Sequence, residues 1–171
     1  MGNFKFDYEK RLVAYYSATG TIEDMAMWIG KTCGYDIYKI EPKDPYVGED
    51  LDWVNLKGRS GLEMKKDYRP EIISPRIENL DDYDLVYLGF PLYFEQAPKI
   101  IYNFLEQYNW EGKTIRTFVT SKRSRSTKCI KELEKAAPGA TFAKCQRFPV
   151  GTCADELRTW VRSGLYWNSW S

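Results

Sequence analysis

Between Arg11 and Ile22 an apolar run, Leu12-Val13-Ala14-Tyr15-Tyr16, passes directly into Ser17-Ala18-Thr19-Gly20-Thr21 and then into an amphipathic segment. A strand that turns into a helix through hydroxyl residues and one glycine has two uses. The first backbone N–H groups of a helix lack intrahelical acceptors and sit at the positive end of its dipole, so such a turn can cradle a phosphate. Ser17, Thr19 and Thr21 add hydroxyl donors, and Gly20 admits a close approach of the backbone. The plainer use is a helix cap, since Ser or Thr before an apolar periodic run is the ordinary way for a helix to begin.

The rest of the chain repeats the alternation. Strand-like runs recur at Leu12 to Tyr16, Asp36 to Ile40, Leu85 to Phe90, Ile115 to Thr120 and Thr141 to Phe148, with helical periodicity between most of them. Met25, Ala26, Ile29 and Cys33 share one helical face. Ile100, Ile101, Phe104 and Leu105 form a second, Ile130, Leu133 and Ala137 a third, and Leu157, Trp160, Val161 and Leu165 a fourth. Apolar faces of this kind pack on a parallel sheet, and right-handed crossovers put helices on both sides of it. With 171 residues and no linker-like tract, the expectation is one domain over the whole chain, 1–171. The stretch from Pro42 to Asn79 is too polar and too rich in Pro, Gly and charge for one packed element, and reads as a long excursion with a short helix near Asp50 to Met64. Long connections often carry function, which singles out Trp53, Arg59 and Ser60. The aromatic tail, Tyr166-Trp167-Asn168-Ser169-Trp170, is suited to covering an apolar patch or to self-association.

Composition removes several chemistries. The chain has no histidine, which eliminates Ser-His-Asp and Cys-His catalysis and the commonest zinc ligand. Cys33, Cys129, Cys145 and Cys153 show no zinc or dithiol spacing and read as reduced structural thiols. An enzyme of this composition takes its chemistry from a cofactor. Lys and Arg number 25 against 24 Asp and Glu, so no global field attracts nucleic acid. No cleavable signal pattern is seen, and no apolar run approaches the roughly 20 residues of a membrane span. Phe6 breaks the myristoylation pattern. These readings predict a soluble, cytoplasmic protein.

Open α/β sheets bind ligands beyond the carboxyl ends of their strands, where the strand order reverses. Three strand ends therefore matter: the Ser17 to Thr21 turn, the loop Gly89-Phe90-Pro91-Leu92-Tyr93-Phe94-Glu95-Gln96-Ala97-Pro98, and the loop Thr120-Ser121-Lys122-Arg123-Ser124-Arg125-Ser126-Thr127. A phosphate turn, an aromatic loop and a polar loop at one edge suit a phosphorylated aromatic ligand. On these three segments the chain resembles the flavodoxin family, over roughly Arg11 to Ser163. The likeness is to the branch with a Ser-x-Ser/Thr-Gly-Asn-Thr turn, a Gly-Phe-Pro-Ile-Trp-Trp-Gly-x-Ala-Pro loop and a Thr-Ser-Gly-Gly-Ser-Gly loop. Asp52-Trp53, Arg59-Ser60 and Glu63-Met64 look like that branch's excursion after the second strand.

The resemblance implies an α/β, flavodoxin-like open, doubly wound five-stranded parallel sheet, order 2-1-3-4-5, with helices on both faces. It implies FMN as cofactor, with its phosphate held by Ser17, Thr19, Gly20, Thr21 and the position of Ile22. Pro91, Leu92, Tyr93, Phe94 and Glu95 would line the isoalloxazine, with an aromatic ring stacked on it. Thr120, Ser121, Lys122 and Arg123 would meet its edge. The implied function is electron transfer or an FMN-dependent NAD(P)H oxidoreductase, drawing electrons from NAD(P)H or a redox partner protein, with no side chain needed as acid or base.

The chain also departs from the family pattern. Ile22 stands where the family has its last phosphate-binding Thr, and a lost hydrogen bond to a charged group costs about 1.5–3 kcal/mol, or about one to two decades of affinity. Glu23 and Asp24 in the first helical turn complement the dipole yet repel a phosphate dianion. Glu95 replaces a glycine, and a residue with Cβ in a left-handed conformation costs about 1–2 kcal/mol. Lys122, Arg123 and Arg125 replace small residues. A cation about 6 Å from a bound flavin contributes about 3 kcal/mol at an effective dielectric near 20, raising the potential by about 100 mV. A second reading is a flavodoxin-fold protein that has lost FMN and binds partners through the basic loop 122–128. Lys128, Lys131 and Lys135 extend that basic run, which could meet the phosphates of NADPH, an acidic protein or, least favoured, nucleic acid, while Glu132 and Glu134 fit a plain solvated face.

Overall fold

Five lanes of parallel strand form the centre of the molecule in a computed structural model that describes residues 10–51, 57–93, 95–121 and 127–165. Strand β1 (Arg11–Tyr15) is buried along its whole length, as expected of a central parallel strand whose two faces are both covered. It is flanked by β2 (Asp36–Lys39) and β3 (Leu85–Pro91), and β4 (Thr114–Thr120) pairs with β3. The order β2-β1-β3-β4-β5 is the one the sequence implied.

The fifth lane corrects the single strand expected over Thr141 to Phe148. It consists of β5 (Thr141–Phe142) and β6 (Gln146–Phe148), both parallel to β4. Ile115 faces Phe142 and Phe118 faces Gln146, so two residues of β4 oppose three of the fifth lane. That extra residue is a bulge, which interrupts the ladder at the sheet edge and re-aims the chain beyond it.

Successive residues of a strand point to opposite faces, and the two cores follow that rule. Val13, Tyr15, Tyr87 and Phe118 pack under α1 (Thr21–Cys33) and α5 (Ala154–Leu165), meeting Ile22, Met25, Ala26 and Ile29 from the first and Leu157, Trp160 and Val161 from the second. Leu12, Ala14, Val86, Leu88, Ile115 and Val119 pack under α3 (Lys99–Glu106) and α4 (Thr127–Ala136). Ile100, Ile101, Phe104 and Leu105 of α3 are fully buried there, each worth about 1.5–3 kcal/mol as an upper figure. Gly89 is required by packing across β3 and β4: a Cβ at that position would lie 2.3 Å from Cζ of Phe118.

The excursion after β2 opens and closes as a short antiparallel pair, Pro42 bridging Ile72. Its helical content corrects the expected helix near Asp50 to Met64: a single 3₁₀ turn occupies Gly48–Leu51, and α2 follows at Arg59–Lys66. Among the described residues, no helix is long and apolar enough to cross a membrane. Trp53, Phe94, Lys122, Arg123, Ser124, Arg125, Ser126 and the aromatic tail from Tyr166 lie outside the described residues, as does the side chain of Leu165.

Candidate functional site

The register of the strands carries three loops to one edge. Tyr15 is level with Gly89, Pro91 with Thr120, and Thr120 with Phe148. The turn after β1 therefore lies beside the switch point between β1 and β3, with the Pro91 and Thr120 loops next to it.

In that turn the cap reading is corrected. The N-cap of α1 is Gly20 in a left-handed conformation, φ 94°, with no side chain bonded to the helix end. A residue with Cβ is strained at that φ, which is why glycine stands there. Ser17 is turned the other way: its Oγ accepts the Gly20 N–H at 3.1 Å and so closes the turn itself. The first intrahelical bond runs from the Asp24 N–H to the Gly20 carbonyl at 3.0 Å. The start of α1 thus carries backbone donors that no capping side chain among the described residues meets, with Thr19 exposed and Thr21 half-buried beside them.

Ile22 does not present its side chain to this turn. It is buried in the core with Met25 and Ile29, and its contribution to a phosphate site reduces to its backbone N–H. The repulsion expected from Glu23 is moderated by Lys39, whose ammonium lies 3.3 Å away. Burial and the same Glu23 carboxylate raise the Tyr15 phenol to about 12.

The second loop leaves β3 at Pro91, and the Leu92 N–H bonds the Thr120 carbonyl at 3.0 Å. Tyr93 and Gln96 exchange both backbone bonds, at 2.9 and 2.8 Å, closing a two-residue turn. Glu95 lies in that turn at φ 62°, the left-handed conformation that the family's glycine would adopt without strain. Its carboxylate meets Lys128 of α4 at 3.5 Å. Leu92 and Tyr93 are half-buried against the core. The Tyr93 and Tyr16 hydroxyls are buried without a hydrogen-bond partner of good geometry among the described residues. Burial raises the Tyr93 phenol to about 12 and pushes Tyr16 up further, with Tyr93 itself the next cause. The Tyr16 and Tyr93 hydroxyls thus lie close to each other in the floor of this loop.

The third strand end places Thr120 in the core and Ser121 at its margin. Sequence reasoning missed Arg147 of β6, whose Nε and Nη2 donate to the Ser121 carbonyl at 3.1 and 2.8 Å. A single Arg between Gln146 and Phe148 gave no signal; the bulge aims it.

Arg59 and Ser60, singled out in the excursion, serve its architecture. Arg59 donates to Glu63 at 2.9 Å and to the Asp44 and Pro45 carbonyls at 2.9 and 3.2 Å, and its guanidinium lies 4.2 Å above the Tyr46 ring. Tyr46 donates to Glu63, and Ser60 to the Asp50 carbonyl.

A doubly wound sheet in this order, with a glycine turn opening on a helix N-terminus at its switch point, defines the flavodoxin-like fold. The chain belongs to the flavodoxin family, whose model, described as flavodoxin, matches residues 10–164. It is similar to a protein assigned as a flavoprotein from Bacteroides eggerthii DSM 20697, at 37% identity and TM-score 0.80, covering 90% of this chain and 96% of that one. A similarly assigned protein from Bacteroides uniformis ATCC 8492 matches at 34% identity and TM-score 0.82, covering 90% and 97%. A flavoprotein in complex with FMN from Lactobacillus acidophilus NCFM shares the fold at 20% identity and TM-score 0.68, covering 90% and 99%. Curated proteins gave no match.

Proposed function

We propose that the chain binds FMN at this edge and acts as an electron-transfer flavoprotein or oxidoreductase. The observation that carries the reading is the start of α1: a glycine N-cap at φ 94°, no capping side chain, and open space where a Cβ at Gly20 would be. A phosphate fits such a turn, because the uncapped N–H groups and the helix dipole both favour an anion. Family membership supports FMN as the molecule that brings the phosphate, and the Lactobacillus relative is described as a complex with FMN.

In this reading Ser17 fixes the turn by holding the Gly20 N–H, leaving the donors of α1 to the phosphate. Thr19 and Thr21 add hydroxyls, and Ile22 adds backbone only. Pro91, Leu92 and Tyr93 form the apolar wall, and Thr120 and Ser121 the polar edge. Arg147 steadies Ser121 through its carbonyl, and Lys39 holds the Glu23 carboxylate off the anion. Lys122 and Arg123 would raise the potential. The flavin, when bound, supplies one- and two-electron transfer, so the chain's residues need only bind, orient and exclude water. Electrons would come from a reduced nicotinamide or a redox protein.

Titration of the purified chain with FMN, followed by quenching of flavin fluorescence, tests the reading with riboflavin as control. Micromolar or tighter binding of FMN that riboflavin fails to match is expected. No quenching at millimolar FMN removes the reading and favours an interaction module acting through the basic loop 122–128.

A further inference from the structure

We propose that the groove between α3, α4 and the end of α2 is an oxyanion site for a small phosphorylated ligand, in which the Asp67 carboxylate holds the ligand's place. The groove has a volume of about 690 Å³, within the usual range for small-molecule sites.

Two cations converge on one oxygen of Asp67: Arg69 Nη1 at 2.7 Å and Lys99 Nζ at 3.0 Å from Oδ1. The burial of the partners is unequal. The Asp67 side chain is 70% exposed, whereas that of Lys99 is 10% exposed. Asp67 also stands at the left-handed C-cap of α2, φ 52°, a conformation that the short polar side chains of Asp and Asn tolerate. The cations are held in place independently of it. Glu106 takes Arg69 through Nε and Nη2 at 3.0 to 3.2 Å, and Lys99 lies 4.8 Å over the Tyr102 ring. Neutralising the Asp67 carboxylate therefore leaves Arg69 Nη1 and Lys99 Nζ without the anion they share. Arg69 and Lys99 hold the Asp67 carboxyl at about 2, as they would hold a phosphate dianion.

The rim adds three lysines, Lys128, Lys131 and Lys135, against one carboxylate, Glu132. Lys128 and Lys135 are exposed and paired only with the exposed Glu95 and Glu132, and Lys131 has no ion pair among the described residues. Recognition falls on phosphate and not on a base, because Arg69 and Lys99 both lie over the Tyr102 ring, at 5.2 and 4.8 Å. A recessed ammonium is reached by a narrow phosphate more readily than by a flat protein surface. Gln96 lines the groove, which places it against the Glu95 turn.

Calorimetric titration at low salt with inorganic pyrophosphate and, separately, NADPH tests the site on the native chain and on Asp67→Asn. Asn tolerates the left-handed conformation and has the same shape, so the substitution removes the charge, keeps the backbone and leaves only a neutral amide for an anion to displace. Asp67→Asn is expected to bind pyrophosphate at least tenfold more tightly than the native chain, and addition of Lys99→Gln is expected to abolish that gain. A gain absent in Asp67→Asn, or one that survives Lys99→Gln, overturns the proposal. If Asp67→Asn loses stability, its thermal midpoint should rise more with pyrophosphate than the native midpoint does; an equal rise overturns the site. NADPH bound more tightly than pyrophosphate identifies a nucleotide ligand, and the reverse a free polyphosphate. No flavin enters these measurements, so they stand apart from the FMN reading.

Discussion

The turn between β1 and α1 and the excursion between Glu41 and Asn79 flank a common cavity of about 270 Å³, and they treat their polar groups in opposite ways. In the excursion the polar groups answer one another. Ser74 Oγ donates to the Lys39 carbonyl at 2.7 Å and accepts the Glu41 N–H at 2.8 Å, Tyr38 donates to the Pro75 carbonyl at 2.9 Å, and Arg59, Tyr46 and Glu63 form a closed set. In the turn, Ser17 answers Gly20 and the helix end is left without a side-chain cap. The excursion builds a wall from polar material whose groups bond one another and, through Arg69, Pro70 and Arg76, the residues of α3 and its end. The turn leaves the donors at its helix end uncapped by any side chain among the described residues, which suits the proposed phosphate.

Glu63→Ala should break the wall most severely. It leaves the Arg59 guanidinium and the Tyr46 hydroxyl without their carboxylate, a loss of about 3 kcal/mol in denaturant unfolding. Gly89→Ala tests the sheet below both regions, driving a methyl into Phe118; overpacking of this kind costs about 1–3 kcal/mol. An unchanged unfolding midpoint would show that β3 and β4 are looser than described. Ser17→Ala probes the turn alone, removing the acceptor for the Gly20 N–H. Stability should fall by about 1 kcal/mol, and FMN affinity should fall about fivefold as the turn loosens. Glu95→Gly relieves the left-handed residue at φ 62°, and should stabilise the chain by up to about 1 kcal/mol while losing only an exposed pair with Lys128.

The smallest effect is alkaline. Tyr15 titrates near 10 when unfolded and is raised to about 12 by burial and Glu23. Its neutral form is therefore favoured by the fold, and the stability this contributes is full below pH 10 and lost as pH rises through about 12. Tyr93 and Tyr102 are raised to about 12 as well. Tyrosinate absorbance should appear later than in a denatured control, and coincident curves would contradict the burial of these phenols.

The alternation of strand and helix was legible because β1 and β3 are short apolar runs and each helix shows its face, as Ile100, Ile101, Phe104 and Leu105 do, whereas the strand order came only from the resemblance to the flavodoxin family. The break in the fifth lane was not, since β5, the bulge and β6 read as one extended stretch, and Arg147 depends on that bulge. The helix in the excursion was foreseen in kind and misplaced in range, because Gly58 and the 3₁₀ turn at Gly48–Leu51 leave little periodicity to read. In the candidate site, the position of Gly20 could be read from its neighbours. That Ile22 turns into the core could also have been read, since it precedes Met25, Ala26 and Ile29 on one helical face. The convergence of Arg69 and Lys99 on Asp67 could not, as it joins an excursion to a helix 32 residues away.

The most direct test of the open turn is the amide spectrum of the chain during FMN titration. Shifts concentrated at Gly20, Thr21, Ile22 and Glu23, reproduced at those positions by inorganic phosphate and absent with riboflavin, are predicted. FMN binding that leaves these four amides unmoved would contradict the account.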